Sequence, residues 1–217
     1  MRRKESEFKT IFFSESGTQK INNDYFGYVQ LDNYAIWVIA DGYDGEEGAN
    51  IASKLSVESV IEYFTAHPRF NKEVIKELFK YTNDTIKQKQ EEMERYSLMH
   101  TSLLIVISNY NKILYGNIGN TRLYHIQGGY IVNQSSDDSV SQLLVQERAL
   151  DIKDIKSHRQ RNDLLQAIGD YSKIKPTISN EIKLLEGDKI CLTTRGAWEN
   201  IDEHEIEVEL SKFPERE

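Results

Sequence analysis

From residue 34 to residue 40 the chain reads Tyr-Ala-Ile-Trp-Val-Ile-Ala, and it then breaks off at Asp41-Gly42. An extended run that is apolar at both odd and even positions predicts a central strand buried on both faces. Residues 9–14 and 25–30 read as shorter strands upstream, the second rich in aromatic and β-branched side chains. Asp32-Asn33 supplies the turn between the second and the central strand. Beyond Gly42 the period changes. Val57, Val60, Ile61 and Phe64 recur at helical spacing from about Glu46 onward, and His67-Pro68 ends the segment because proline excludes the helical conformation before it. Ile75, Leu78, Phe79, Thr82 and Ile86 form a second apolar stripe, which predicts a helix over 71–96 with Asn71 as its cap. The Lys, Gln and Glu residues after Ile86 read as a solvated face.

The pattern then returns to strands. Residues 101–108 are a long β-branched run, and 113–118, 122–127 and 130–133 follow, separated by the turn signals Asn109-Tyr110-Asn111, Gly119-Asn120 and Gly128-Gly129. Asp137-Asp138-Ser139 offers a cap for a short helix carrying Val140, Leu143 and Leu144. Residues 147–170 are polar and mixed. Residues 178–184 and 189–194 predict a final strand pair around Glu186-Gly187-Asp188, and 202–210 a last helix. Short turns between consecutive strands imply antiparallel pairing. The pattern therefore predicts an α+β fold in which two antiparallel sheets pack face to face with helices outside.

Composition narrows the setting. A chain of 217 residues without a compositional break fits one domain over 1–217. Lys plus Arg is 27 against 35 Asp plus Glu, a net charge of −8, which disfavours nonspecific binding to nucleic acid or an anionic membrane. The basic run Arg2-Arg3-Lys4 is answered at once by Glu5 and Glu7. No stretch has the length and apolarity of a leader or a spanning helix, and the lone Cys191 suits a reducing compartment, so the expected location is cytoplasmic. Cys191 sits in an apparent strand and reads as a small apolar residue.

Two acidic positions stand at strand ends: Asp24, in Asn22-Asn23-Asp24, and Asp41, before Gly42. Carboxylates placed there, with glycine allowing close backbone approach, suit hard cations, although an Asp-Gly after a strand is more often a plain turn. Asp44 and Glu46 read as solvated loop carboxylates. The histidines show no zinc-ligand spacing.

Several motifs follow one another around these positions. Gly17 leads through Asn22-Asn23-Asp24 to Ile39-Ala40-Asp41-Gly42-Tyr43-Asp44-Gly45 and Gly48-Ala49-Asn50. Met99-His100-Thr101-Ser102, Asn117-Ile118-Gly119-Asn120-Thr121-Arg122, Ser136-Asp137-Asp138-Ser139, the stretch 162–169, Leu185-Glu186-Gly187-Asp188 and Thr193-Thr194-Arg195-Gly196 come after. In that order they resemble the type 2C metal-dependent protein phosphatases, over residues 12–210. The resemblance implies a sandwich of two antiparallel sheets flanked by paired helices, in α/β/β/α layers. It also implies removal of phosphate from phosphoserine or phosphothreonine by two Mg2+ or Mn2+ ions, which activate a water and stabilise an in-line displacement.

Residue by residue, the resemblance assigns Asp41 to the metal-bridging position, the Gly42 carbonyl to a backbone ligand, and Asp24 to the acidic residue beside the metals. Gln19 falls where the family has a phosphate-binding Arg, leaving Lys20 to bind phosphate as a point charge. The degenerate positions are Asn23, where Glu or Gln is usual, Asn120, for the Asp of Gly-Asp-Ser-Arg, and Arg195, for the metal-binding Asp of Ser-Asp-Gly. Arg195 either points outward or stands in as a built-in cation beside Asp41 or Asp24. The closing strand with its last metal ligand has no counterpart before Glu217. These departures lead to the expectation of a pseudophosphatase, with no catalytic residue assigned and Mg2+ or Mn2+ at one weak site at most. Its partner would be a phosphoprotein, a kinase or another protein of bacterial signalling, with no nucleic acid and no membrane. The alternatives are an active phosphatase with a reduced metal site and a purely structural domain.

Overall fold

The structure, a computed structural model, describes residues 8–43, 45–171 and 173–213. Asp44, the Arg2-Arg3-Lys4 run, Glu5, Glu7 and Glu217 lie outside the described residues. In chain order the elements are β1 (Asp24–Gln30), β2 (Ala35–Gly42), α1 (Ala49–Ala66), α2 (Lys72–Glu92), β3 (Thr101–Ser108), β4 (Lys112–Ile118), β5 (Arg122–Gln127) and β6 (Tyr130–Gln134). Then come α3 (Val140–Gln146), β7 (Thr177–Ile178), β8 (Ile182–Lys183), β9 (Lys189–Thr193), α4 (Arg195–Trp198) and α5 (Glu203–Ser211).

The strands form two antiparallel sheets. The larger runs β1-β2-β3-β4-β7, with β8 also on β4, and the smaller runs β6-β5-β9. The expected α+β sandwich is therefore present, and three apolar layers hold it together. Ile36, Val38 and Ala40 on one face of β2 meet Val57, Val60 and Phe64 of α1 and Ile75, Leu78 and Phe79 of α2. Trp37 and Ile39, on the opposite face of β2, join Leu104, Val106 and Tyr115 against Leu123, Ile190 and Leu192 of the smaller sheet. Tyr124 and Ile126, on that sheet's far side, pack under Ile206 of α5. Each large side chain buried this way contributes about 1.5–3 kcal/mol. The unbroken apolar run of β2 has its explanation here, since both faces of the strand are covered.

The helix signals behave as the sequence implies. Asn71 Oδ1 accepts from Val74 N (2.8 Å) at the start of α2, and α1 stops at His67, before Pro68. Ser139 caps α3, and Asp202 with Glu205 forms a capping box on α5.

Three expectations need correction. Residues 9–14 form no strand: a ladder requires a neighbouring strand, and this segment is instead tied down by side chains. Trp37 Nε1 donates to Thr10 Oγ1 (3.0 Å), and Phe12 lies against Phe26 with ring centroids 4.3 Å apart. Residues 178–184 and 189–194 do not pair with each other; β7 and β8 join β4, whereas β9 crosses to β5. The crossing turn is fixed by Asp188, whose side chain is buried; it accepts from Leu185 N (2.9 Å) and lies 2.9 Å from His125 Nε2. The polar end of α2 is not wholly solvated either. Gln90 is buried, and its amide donates to the carbonyls of Met99 (2.9 Å) and Gly169 (3.1 Å). Among the described residues no helix is long and apolar enough to cross a membrane.

Candidate functional site

Antiparallel register brings the two acidic strand ends together. Asp24 lies directly across from Asp41, and Asp41 across from Ser102 on its other side. Gly42 continues the ladder opposite Thr101 and donates from its N–H to the Asn23 carbonyl (3.0 Å). A Cβ on Gly42 would stand 2.2 Å from the Ala49 carbonyl oxygen, so only glycine lets the first residue of α1 come this close to the strand end.

Asn120 arrives from β4 through Gly119, whose φ of +89° belongs to the left-handed region. Asn120 is buried. Its Oδ1 accepts from Ser102 Oγ (3.1 Å), and its carbonyl accepts from Trp198 Nε1 (2.7 Å). It closes the turn beside the strand ends.

The smaller sheet contributes the opposing wall. At the end of β9, Thr194 Oγ1 donates to Asp24 Oδ2 (2.6 Å), and the main-chain N–H of Arg195 donates to Asp41 Oδ2 (3.3 Å). The Arg195 guanidinium lies beside Glu199, with Nη1 3.6 Å from Oε2. In the amide orientation that satisfies both neighbours, Asn162 accepts from Arg195 Nη1 (3.2 Å) and donates to Glu199 Oε1 (3.0 Å). Arg161 Nε also donates to Glu199 Oε1 (2.9 Å). Asp41, Gly42, Tyr43, Ser102, Asn120, Asn162, Leu164 and Arg195 enclose a cavity of about 160 Å3.

Beneath the cavity, Arg122 forms a two-pronged bond to Asp137 (Nε to Oδ1 2.8 Å, Nη2 to Oδ2 2.6 Å) and stacks on Trp198, 3.6 Å from its ring centroid. Burial works against the charge of Arg122, but Asp137 more than offsets it, so the guanidinium holds its proton more tightly than usual. Burial pushes the Asp137 carboxyl up and the guanidinium opposes it. We take the pair as charged, because the fork fills both carboxylate oxygens. This clamp anchors α4, and with it Arg195, to β5.

Glu46 is not a loose loop carboxylate. Its Oε2 lies 3.0 Å from His100 Nδ1, while His100 Nε2 lies 3.6 Å from Asp170. Lys20 is exposed, and among the described residues no hydrogen bond or ion pair ties it to the strand ends. Nor, among the described residues, do three or more His, Cys, Asp or Glu side chains converge to hold a metal ion. The sequence placed Ser102 and Asn162 among the ordered motifs but gave neither a role in the site, and it left out Glu199. The Arg195–Glu199 spacing of four was a readable signal, because residues four apart share a helix face; no local signal paired Asn162 with either of them.

The chain has relatives among known proteins. The family model described as Protein phosphatase 2C matches residues 14–209. Protein phosphatase PhpP of Streptococcus pneumoniae is 27% identical over 207 residues, spanning 93% of this chain and 84% of its own. The solved structure of serine/threonine phosphatase Stp1 from Staphylococcus aureus matches with a TM-score of 0.82 at 20% identity, covering 99% of this chain and 88% of that one. The catalytic domain of the serine/threonine protein phosphatase PstP, solved with two manganese ions, matches with a TM-score of 0.71 at 19% identity, covering 89% and 86%.

Proposed function

The chain belongs to the protein phosphatase 2C family, and from that premise we propose that it is a pseudophosphatase, which binds a phosphoprotein or signalling partner in the cytoplasm without turning over phosphate efficiently. One observation carries the reading: the carboxylates of Asp24 and Asp41 are both engaged by Thr194 and Arg195 of the opposing sheet. Two divalent cations side by side require several converging carboxylates. Among the described residues, Asp41 is the one acidic residue that lines the cavity, and Arg195 lines it from the opposing wall. Asn120 is neutral and already bonded to Ser102. A guanidinium beside a divalent ion is repelled, and burial sharpens the repulsion. The residues present do not fit a two-metal centre, so we derive no step through one.

What the cavity offers instead is a set of donors. A phosphorylated side chain entering the cavity would exchange existing bonds: Arg195 Nη1 and the Asn162 amide would turn to its oxygens from each other and from Glu199, and the Ser102 hydroxyl from Asn120, with Arg195 supplying the charge. Lys20 remains a candidate for the outer phosphate oxygens.

A second reading has its own support. Asp24 and Asp41 are side by side in register, and the Gly42 carbonyl follows. That arrangement suits one Mg2+ or Mn2+ ion at a weak site, and would leave a reduced phosphatase activity. Hydrolysis of p-nitrophenyl phosphate with Mn2+ separates the two readings. We expect no turnover above buffer and no change on Asp41→Asn. Turnover like that of PhpP, abolished by Asp41→Asn, would defeat the pseudophosphatase reading.

A further inference from the structure

β1 is the outermost strand of the six-stranded sheet, and only its inner edge is paired. Among the described residues no backbone hydrogen bond reaches the outward N–H and C=O groups of residues 25–28. A bare edge is a template for another strand, and folds usually blunt it with lysine, proline or a bulge. Here the edge reads Tyr25-Phe26-Gly27-Tyr28, and its register with β2 is unbroken.

Helix α1 overhangs this edge. A Cβ on Gly27 would stand 2.8 Å from Val57 Cγ1, so the bare glycine lets the helix settle onto the strand. Val57 and Ile61 give an open groove of about 350 Å3 its apolar floor. Glu58 and Glu62, one helical turn apart, stand exposed on its rim, and among the described residues no cation lines it. Lys54 is 3.8 Å from Glu58, but both are more than half exposed, and such a pair is worth little.

We propose that this groove binds an extended, basic peptide segment of a partner protein, which adds to β1 as a further strand. Its backbone pairs with the free edge, alternate apolar side chains enter the floor, and Lys or Arg residues meet Glu58 and Glu62. Charge complementarity selects this occupant over a second copy of the chain. Two copies joined edge to edge would bring their acidic rims together, and like charges across an interface oppose association. The inference stands apart from the Asp24–Asp41 cavity and from the pseudophosphatase reading.

The test uses a short fluorescein-labelled peptide alternating valine and lysine, titrated into the full chain and followed by anisotropy and by amide hydrogen exchange. We expect saturable one-to-one binding, with slowed exchange confined to residues 24–30. The Glu58→Lys/Glu62→Lys variant should bind about tenfold more weakly, because rim charges set the attraction. Glu91→Lys/Glu94→Lys, the same charge change at and just past the end of α2, should leave binding intact. Equal weakening in both variants would reduce the effect to general charge attraction and overturn the proposal. So would unsaturable binding, or protection appearing on β9. Sedimentation showing a dimer of the chain alone that Tyr28→Lys dissociates would assign the edge to a second copy, and would overturn it too.

Discussion

At the scale of single residues, Arg195 meets the site through two different groups. Its main-chain N–H serves Asp41 while its side chain faces Glu199 and Asn162. Replacing the cation with a carboxylate should raise the affinity of the cavity for divalent ions. We expect Arg195→Asp to show saturable Mn2+ heats in calorimetry where the unaltered chain shows none or a weak signal; no gain would mean that Arg195 does not govern the site. Cys191 makes a second residue-scale prediction. Burial beneath α5 pushes its thiol up to about 11. Above the ordinary thiol range the unfolded chain loses this proton first, so folded stability falls as pH rises from about 9 to 11. Iodoacetamide should label the folded chain slowly at neutral pH and faster near pH 11. Rapid labelling at pH 7 would contradict that burial, since the thiolate is the nucleophile.

At the scale of elements, the site depends on how β5, α4 and the turn at Asp137 are locked together. Both side chains of the Arg122–Asp137 fork are buried, and Trp198 covers the guanidinium. Removing one partner leaves an uncompensated buried charge. Asp137→Asn should therefore cost about 3–5 kcal/mol in urea unfolding. A cost below about 1 kcal/mol, the range of an exposed pair, would mean that the clamp is solvated. The helix signals were legible at this scale because caps are local: Asn71 and Ser139 each bond a backbone N–H three residues ahead. Strand partners were less legible. Residues 178–184 and 189–194 have the turn and the alternation of a hairpin, yet the chain sends them to different sheets. Their partners are β4 and β5, more than fifty residues upstream, and no local signal carries that information.

At the scale of the whole molecule, two sheets meet so that the ends of β1, β2 and β9 share one edge of the sandwich. Asp24 and Thr194 touch across a separation of 170 residues. The same packing leaves β1 with a free edge next to an acidic helix, on a chain whose net charge is −8. The cleft and the edge groove thus arise from one arrangement and serve separate proposals.

The sequence by itself determined the α+β sandwich, its helices and the acidic strand ends Asp24 and Asp41, because these follow from periodicity, from capping residues and from motif order. Only the tertiary structure decided what those carboxylates face. Strand pairing sets Asp24 against Asp41, and the stacking of one sheet on the other brings Thr194 and Arg195 to meet them. Sheet packing follows from the burial of whole apolar faces, a sum over many distant side chains, and no single stretch of sequence contains it.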